Sequence, residues 1–326
     1  MNNAHSKTFL TVELSALVYG VVTTLLMVAF EVCGKHFVNA GAMLAMRCEW
    51  LAMTAVLVII ARYVNRRYAA AERWTTILRV AAQLGWLSVW YPDTYEFNRL
   101  LPNRDHLFAA LDETLFGCQP SLRFSELLPQ PFWSEAFNLG YWSYFPMIAV
   151  LVVTLFLLRR DYLRVATVVL TAFFLYYVIY IFLPVAGPQF YFAAVGTEVI
   201  EAGQYPVLGT YFSSHTEMLP APGYADGLFY QLVHAAQSTG ERPTAAFPSS
   251  HIGISTILLL LAHRHAPRAL LFCLLPFWVL LCCATVYIQA HYLVDAIAGL
   301  VSAHIILALA EWMLKPILHK KEVCYS

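Results

Sequence analysis

Two short strings contain the residues of this chain that are best suited to chemistry. One is FPSSH at 247–251, and the other is YIQAHYLVD at 287–295. His291 and Asp295 are four residues apart, so on a helix they would share one face and could form a hydrogen bond. A histidine oriented by a carboxylate can attack phosphorus, and His251 can protonate the leaving oxygen. The two strings therefore predict chemistry at a phosphorus centre.

The first string has the features of a helix start. Ser249 or Ser250 can cap a helix whose first backbone N–H groups have no partner within it. Such an end attracts anions, so both serines are candidate phosphate-binding residues. His251 would lie on the first turn, where it can give a proton to a leaving alkoxide. The alternative is an ordinary serine-capped transmembrane helix with an interfacial histidine.

The second string places a carboxylate in an apolar stretch. An acidic residue inside a membrane helix costs roughly 3 kcal/mol or more and usually marks a polar site. Asp295 accepting a hydrogen bond from one ring nitrogen of His291 would fix the tautomer and leave the other nitrogen free to attack. The alternative is a structural His–Asp pair between two helices.

The composition indicates which elements must position these strings. Hydrophobic residues make up 60% of the 326 residues and charged residues only 12%, against about a quarter charged in soluble domains. Several apolar runs approach the roughly 20 residues needed to cross a bilayer. We therefore predict an all-α, polytopic integral membrane bundle. Zero net charge without a basic stripe argues against nucleic acid as a partner. No cysteine spacing or carboxylate cluster suggests a metal, and no cofactor is expected.

The apolar runs predict about eight transmembrane helices. The first could be a signal peptide, but its length and the absence of a small-residue cleavage site favour a helix. Basic clusters follow the second, fourth, sixth and eighth runs, and such clusters favour the cytoplasm. Both termini are then cytoplasmic, provided that the weakest run, 75–91, crosses the membrane. The predicted spans are 12–30, 44–63, 75–91, 140–158, 163–184, 251–263, 268–288 and 292–314.

The order of these runs predicts three regions. Residues 1–91 would form N-terminal transmembrane helices, 92–139 an outer interfacial segment, and 140–326 a catalytic membrane core with an outer loop at 185–250. Cys33 and Cys118 both fall outside in this scheme. They could form a disulfide in an oxidising compartment, but sequence does not place them within reach.

Within the outer interfacial segment, 106–116 has the pattern of an amphipathic helix. Its apolar side would lie on the bilayer, with Asp112 and Glu113 facing water. A helix packed on the membrane domain is the alternative. The apolar side consists of Leu107, Phe108, Leu111, Leu115 and Phe116.

The two strings resemble the signatures of the type 2 phosphatidic acid phosphatase superfamily. Its second signature, Pro-Ser-x-His, matches 248–251, and the His-x3-Asp end of its third signature matches His291 and Asp295. The resemblance covers roughly 140–300. It implies a six-helix catalytic core in which His291 becomes a phosphohistidine, Asp295 orients it and His251 is the general acid.

The chain departs from that pattern at two phosphate clamps. Ala284-Thr285 stands where the third signature has Ser-Arg, and the first signature, Lys-x6-Arg-Pro, has no match. The stretch ATVY at 284–287 followed by His291 instead looks like the inositol phosphotransferase branch, which includes inositol phosphorylceramide synthases. A phosphodiester carries one negative charge and needs fewer cationic donors than a phosphomonoester. The departure favours headgroup transfer, with Thr285 as a marker of that choice.

Other residues could hold the phosphate instead. Arg242, the only Lys or Arg in 185–250, is the first choice, although a surface position is the alternative for any single arginine. Gln189 could donate to a phosphate oxygen or be exposed. Tyr287, close to His291, could contact substrate or pack as an interfacial aromatic residue.

The sequence thus predicts a membrane lipid phosphoesterase or phosphotransferase acting through a phosphohistidine. It would move a phosphoinositol-type headgroup from a phospholipid to a sphingolipid or similar acceptor. One alternative is a lipid phosphate phosphatase with water as acceptor, and another is a transporter that uses histidine and aspartate to relay protons. The expected location is the plasma (inner) membrane, with the active site on the outer, periplasmic or lumenal face.

Overall fold

The computed structural model describes residues 9–322, and within this range the chain forms α-helices and no β-strand. The prediction of an all-helical polytopic membrane protein is confirmed. In chain order the α-helices of the described residues are α1 (Thr11–Val32), α2 (Ala40–Arg67), α3 (Glu72–Gly85), α4 (Leu87–Asn98), α5 (Asp105–Phe116), α6 (Pro120–Leu127), α7 (Pro131–Trp142), α8 (Tyr144–Leu157), α9 (Tyr162–Phe182), α10 (Pro188–Val195), α11 (Thr197–Glu201), α12 (Leu228–Gly240), α13 (Ser250–His265), α14 (Arg268–Tyr287) and α15 (Leu293–Glu322).

Fewer helices are long and apolar enough to cross a membrane than the eight expected. Five of the described helices satisfy both conditions: α1, α2, α9, α14 and α15 over 293–316. A sixth span results if α7 and α8, which meet at a 48° bend, act as one. The expected span at 75–91 is divided between α3 and α4, and the one at 251–263 corresponds to α13, which has only 16 residues.

Helix α9 forms the centre of the bundle. It is apolar around its whole circumference, as is typical of a helix buried in a protein core or in a bilayer. Leu170, Tyr176 and Tyr180 are completely buried, and α1, α4, α13 and α15 pack around the helix. The end of α9 at Phe182 leads directly into the short loop before α10, whose second residue is Gln189.

The N-terminal helices are attached to this centre by polar contacts inside the bundle. Glu13 on α1 accepts from Arg79 Nε on α3 at 2.7 Å, and Asp93 on α4 accepts from Arg47 on α2 at 2.8 Å. All four side chains are buried. Because an unpaired charge is costly in an apolar medium, these two pairs specify how the first four helices fit together.

Helix α5 corrects the interfacial-helix prediction in two respects. Leu107, Leu111 and Leu115 are exposed, as an amphipathic helix on the bilayer requires, but Phe108 of the same predicted side is half-buried against Phe247, with ring centroids 4.6 Å apart. Asp112, however, does not face water: it is fully buried and its carboxylate accepts from the backbone N–H groups of Leu293 and Val294 at 2.9 and 3.0 Å. The start of α15 supplies N–H donors that no residue of α15 can satisfy, and these donors attract the carboxylate.

Cys33 and Cys118, which the sequence left as a possible disulfide, are both free thiols in the structure. Cys33 is exposed at the end of α1, and Cys118 is half-buried between α5 and α6.

Candidate active site

The structure brings the two predicted histidines together. Ser249 is the N-cap of α13 and accepts from the N–H of Ile252, so His251 lies on the first turn of the helix. His291 lies in the loop between α14 and α15, with its N–H bonded to Thr285 O at 3.0 Å. His251 Nδ1 and His291 Nε2 are 3.4 Å apart. A histidine at a helix start thus faces a histidine from a separate loop.

Hydrogen bonding determines which nitrogen of His291 is available. Its Nδ1 lies 2.8 Å from the carbonyl oxygen of Ala246, and a carbonyl only accepts, so Nδ1 carries the hydrogen. Nε2 then has a free lone pair and points towards His251. Burial lowers the pKa of His291 to about 4, which keeps the ring neutral near pH 7. This is the protonation state of a nucleophile.

Asp295 does not hold His291 in the expected way. Its Oδ2 is 3.8 Å from His291 Nδ1, too far for a hydrogen bond, and accepts instead from the N–H of Tyr292 at 3.0 Å. The i,i+4 geometry fails because α15 begins at Leu293, so His291 precedes the helix. The carbonyl of Ala246 takes the orienting role, and the fully buried Asp295 stays at ion-pair distance.

Both histidines open onto a narrow pocket with a volume of about 30 Å³. The pocket is lined by polar and aromatic side chains, and no Lys or Arg is among its described lining residues. In residues 9–322 no group of three or more His, Cys, Asp or Glu side chains is arranged to hold a metal ion. The other polar and aromatic side chains of the lining are Tyr91, Tyr141, Gln189, Phe190, Glu241, Thr244 and Ser250.

Two tyrosines fix the ring of His251. The ring centroids of Tyr141 and Tyr144 each lie 4.6 Å from the imidazole, and Tyr141 is stacked at 26°. Tyr144 Oη also donates to the carbonyl of Ser250 at 3.3 Å. Stacking of this kind restrains the imidazole plane, so Nδ1 of His251 stays directed at His291.

The comparison with protein families agrees with this geometry. The family model described as PAP2 superfamily matches residues 107–309, which is well over half of the chain. The chain belongs to the PAP2 superfamily. Neither the comparison with curated proteins nor that with solved structures gave a significant match. Membership indicates a lipid phosphoesterase of the phosphatase or phosphotransferase type.

In this PAP2 protein, two of the predicted phosphate-binding residues line the pocket. Gln189 is buried; its amide Nε2 donates to Leu219 O at 3.2 Å and its Oε1 accepts from Gln237 Nε2 at 3.1 Å. Ser250, also buried, is the first residue of α13 and lies beside His251. Both side chains are neutral, so any phosphate contact from them is a hydrogen bond without a full charge.

The other four predicted binding residues lie outside the pocket lining. Ser249 is buried at the helix cap, and Arg242 is exposed with its guanidinium donating to the carbonyl of Glu241 at 3.1 Å. Thr285 and Tyr287 are fully buried and donate to the carbonyls of Cys282 and Leu128, respectively. The bond of Thr285 lies within α14, whereas that of Tyr287 joins the end of α14 to the residue after α6.

Glu241, which the sequence analysis passed over, lines the pocket. It follows the last residue of α12, and its Oε1 accepts from Tyr91 Oη at 3.0 Å. Burial raises the pKa of Glu241 to about 7. The signal in the sequence was weak, since a carboxylate ten residues before His251 in a polar loop looks like any solvated charge.

Asp105 is the second residue that the sequence analysis missed. It is fully buried and accepts from the N–H groups of Ala186 and Gly187, both at 2.7 Å, and from Tyr292 Oη at 3.0 Å. One carboxylate on α5 therefore holds the loop after α9 and the residue next to His291.

A glycine is required at position 187, where the loop after α9 meets the loop between α14 and α15. Its φ of +96° suits glycine, and a Cβ there would stand 2.7 Å from the carbonyl oxygen of Ala290. The N–H of Gln189 donates to Gln289 O at 3.0 Å nearby. The two backbones therefore approach each other closely between residues 187–189 and 289–290.

Proposed function

We propose that this PAP2 protein transfers a phospholipid headgroup through a phosphohistidine at His291, with phosphodiesters as its substrates. The observation that supports this most is the 3.4 Å approach of His251 Nδ1 to His291 Nε2 in a pocket whose described lining has no cationic side chain. A dianionic phosphomonoester would have no guanidinium or ammonium partner there. A monoanionic diester is better suited to hydrogen bonds from imidazole, amide and hydroxyl groups.

In the first half-reaction, a phosphate group displaces the contact between the two rings. Nε2 of His291 attacks phosphorus, the bond from phosphorus to the diacylglycerol oxygen breaks, and protonated His251 gives its proton to that oxygen. Burial and the neighbouring His291 lower the pKa of His251 to about 3, so the acid form of His251 requires the bound phosphate anion, which raises this pKa. Asp295, 3.8 Å from Nδ1, stabilises the positive charge that develops on the His291 ring.

In the second half-reaction, an acceptor hydroxyl attacks phosphorus and the nitrogen–phosphorus bond breaks. The acceptor proton passes to His251, which is then ready for the next cycle. A sphingolipid hydroxyl as acceptor gives headgroup transfer, whereas water gives hydrolysis. Both reactions use the same two histidines, so the acceptor has to be identified by experiment.

The basic residues support a location of the site on the outer membrane face. Helices α9, α13, α14 and α15 each have one end at the pocket and a basic cluster near the other, at Arg160, Arg264, Arg268 and Lys315. Arg160 also donates to the carbonyl of His265 at 2.6 Å, which joins two of these clusters. Because basic clusters favour the cytoplasm, the pocket would open on the opposite side, in the plasma (inner) membrane, and both termini are cytoplasmic if α3 and α4 together complete one crossing.

The test uses purified protein in mixed micelles with phosphatidic acid or phosphatidylinositol, each with and without ceramide. Free phosphate and new phosphosphingolipid are measured together for the wild type and for His291→Ala. We expect phosphosphingolipid only when phosphatidylinositol and ceramide are both present, and none from the variant. Phosphate release from phosphatidic acid regardless of ceramide would identify a phosphatase. Equal turnover by His291→Ala would exclude the phosphohistidine.

A further inference from the structure

A carboxylate lies where an anionic substrate has to bind. Glu241 shares the pocket lining with His251 and His291, and none of the described lining residues is Lys or Arg. The nearest arginine in sequence, Arg242, is exposed and bonds to the main chain of Glu241, not to its carboxylate. A carboxylate at this position weakens the binding of bare phosphate, so its presence requires a different ligand group.

The hydrogen bonds of Glu241 indicate what that group is. A carboxylate has about four acceptor sites, and the hydrogen bond from Tyr91 Oη uses one of them. The neighbouring lining side chains, Gln189, Thr244 and Ser250, are neutral groups that both donate and accept. A hydroxyl group can satisfy all of these partners because it also donates and accepts.

An ammonium headgroup fits this wall less well. It only donates, so it can bind Glu241 but offers no acceptor to the N–H and O–H donors of Gln189, Thr244 and Ser250, which a hydroxyl group does. In the proposed topology Glu241 also lies on the aqueous side of the pocket, since it belongs to the outer loop after α12. The lipid headgroup reaches this aqueous side, whereas the hydroxyl group of an acceptor embedded in the membrane does not.

We propose that Glu241 and Tyr91 form a binding subsite for the hydroxyl groups of a polyol headgroup, so that polyol phosphodiesters are preferred over phosphatidic acid and over amine headgroups. The inference rests on the proposed function, because the headgroup must be linked to the phosphate that His291 attacks. Glu241 is a specificity residue in this scheme, and the bonds made and broken at phosphorus are unchanged.

The experiment compares wild type, Glu241→Gln and Tyr91→Phe on three micellar lipids, each with ceramide as the acceptor: phosphatidylinositol, phosphatidylethanolamine and phosphatidic acid. Release of the lipid alcohol gives kcat/KM for each. Glu217→Gln is the matched control, because this exposed residue lies in the same outer loop and loses the same charge. Thermal unfolding in detergent shows whether each variant is folded.

We expect Glu241→Gln to lower kcat/KM for phosphatidylinositol by about tenfold or more, a loss that corresponds to about 1.4 kcal/mol of binding to one hydroxyl. Turnover of phosphatidic acid stays the same or rises, since a repelling charge is removed. Tyr91→Phe shows a smaller loss with the same selectivity. Glu217→Gln leaves all three lipids unaffected.

The results distinguish a failure of the polyol subsite from a failure of the proposed phosphohistidine function. An equal loss on all three lipids, or a loss confined to phosphatidylethanolamine, would overturn the polyol subsite while leaving the phosphohistidine intact. A wild type that turns over no phospholipid, or a His291→Ala variant as active as the wild type, would overturn the proposed function and the subsite together.

Discussion

Gly299 offers the sharpest test of how the bundle positions His251. It lies on α15 opposite the start of α13, and a Cβ added there would stand 2.6 Å from the carbonyl oxygen of Ser249 and 3.2 Å from Ile252 Cβ. Ordinary contact begins at about 3.4 Å. The substitution Gly299→Ala therefore forces the first turn of α13 away from α15 by between 0.4 and 0.8 Å.

The displacement of the first turn of α13 determines how much stability and activity are lost. Inserting a methyl group into a packed interior costs about 1–3 kcal/mol. Ser249 is the N-cap residue and His251 is two positions further on, so the shift reaches the catalytic ring almost undiminished. A misplacement of about 1 Å can reduce the rate about 100-fold. For 0.4–0.8 Å we expect a 10- to 100-fold lower kcat with little change in KM.

The assay combines lipid-alcohol release in mixed micelles with thermal unfolding in detergent. Gly41→Ala is the control, because nothing lies within 4 Å of a Cβ at this exposed position on α2. We expect the control to match the wild type in both measurements. If Gly299→Ala has the same kcat and the same thermal unfolding midpoint as the wild type, α15 does not determine the position of His251.

Three further predictions concern charged side chains. Burial raises the pKa values of Asp105 and Asp112 to about 6, so the folded protein should lose thermal stability as the pH rises from about 4 through 6. Asp105→Asn should reduce this dependence of the unfolding temperature on pH, measured by thermal unfolding in detergent. Arg79→Gln should destabilise the fold by about 3–5 kcal/mol, because it leaves Glu13 buried without its partner, and the double variant with Glu13→Gln should recover part of the loss in the same melts. Arg242→Gln should change kcat/KM less than twofold, since its guanidinium is exposed and outside the pocket lining; a tenfold loss would restore it as a phosphate ligand.

The helices could be predicted because long apolar runs have few other solutions in a membrane. Five of the runs correspond to helices that are long and apolar enough to cross. The expected span at 75–91 fails because α3 ends at Gly85 and α4 begins at Leu87, so neither is long enough alone. Average apolarity reports which residues avoid water, but it does not locate a break in the backbone.

The pairing of His291 with Asp295 shows a second limit. The i,i+4 rule holds only if the helix is continuous, and here the backbone turns at Gln289, whose φ is +63°. Nothing local in the sequence announces that turn. The carbonyl of Ala246, which binds His291 instead, comes from a segment 45 residues away. Main-chain acceptors of this kind leave no trace in the residue types.

Helix α5 contacts both loops that surround His291, although its sequence describes it as an interfacial element. Most of its predicted apolar side faces outwards, but Asp105 binds the loop after α9 and Asp112 binds the start of α15. The PAP2 family match also begins inside this helix, at residue 107. Two buried carboxylates on one face of α5 thus hold both of the loops that surround His291.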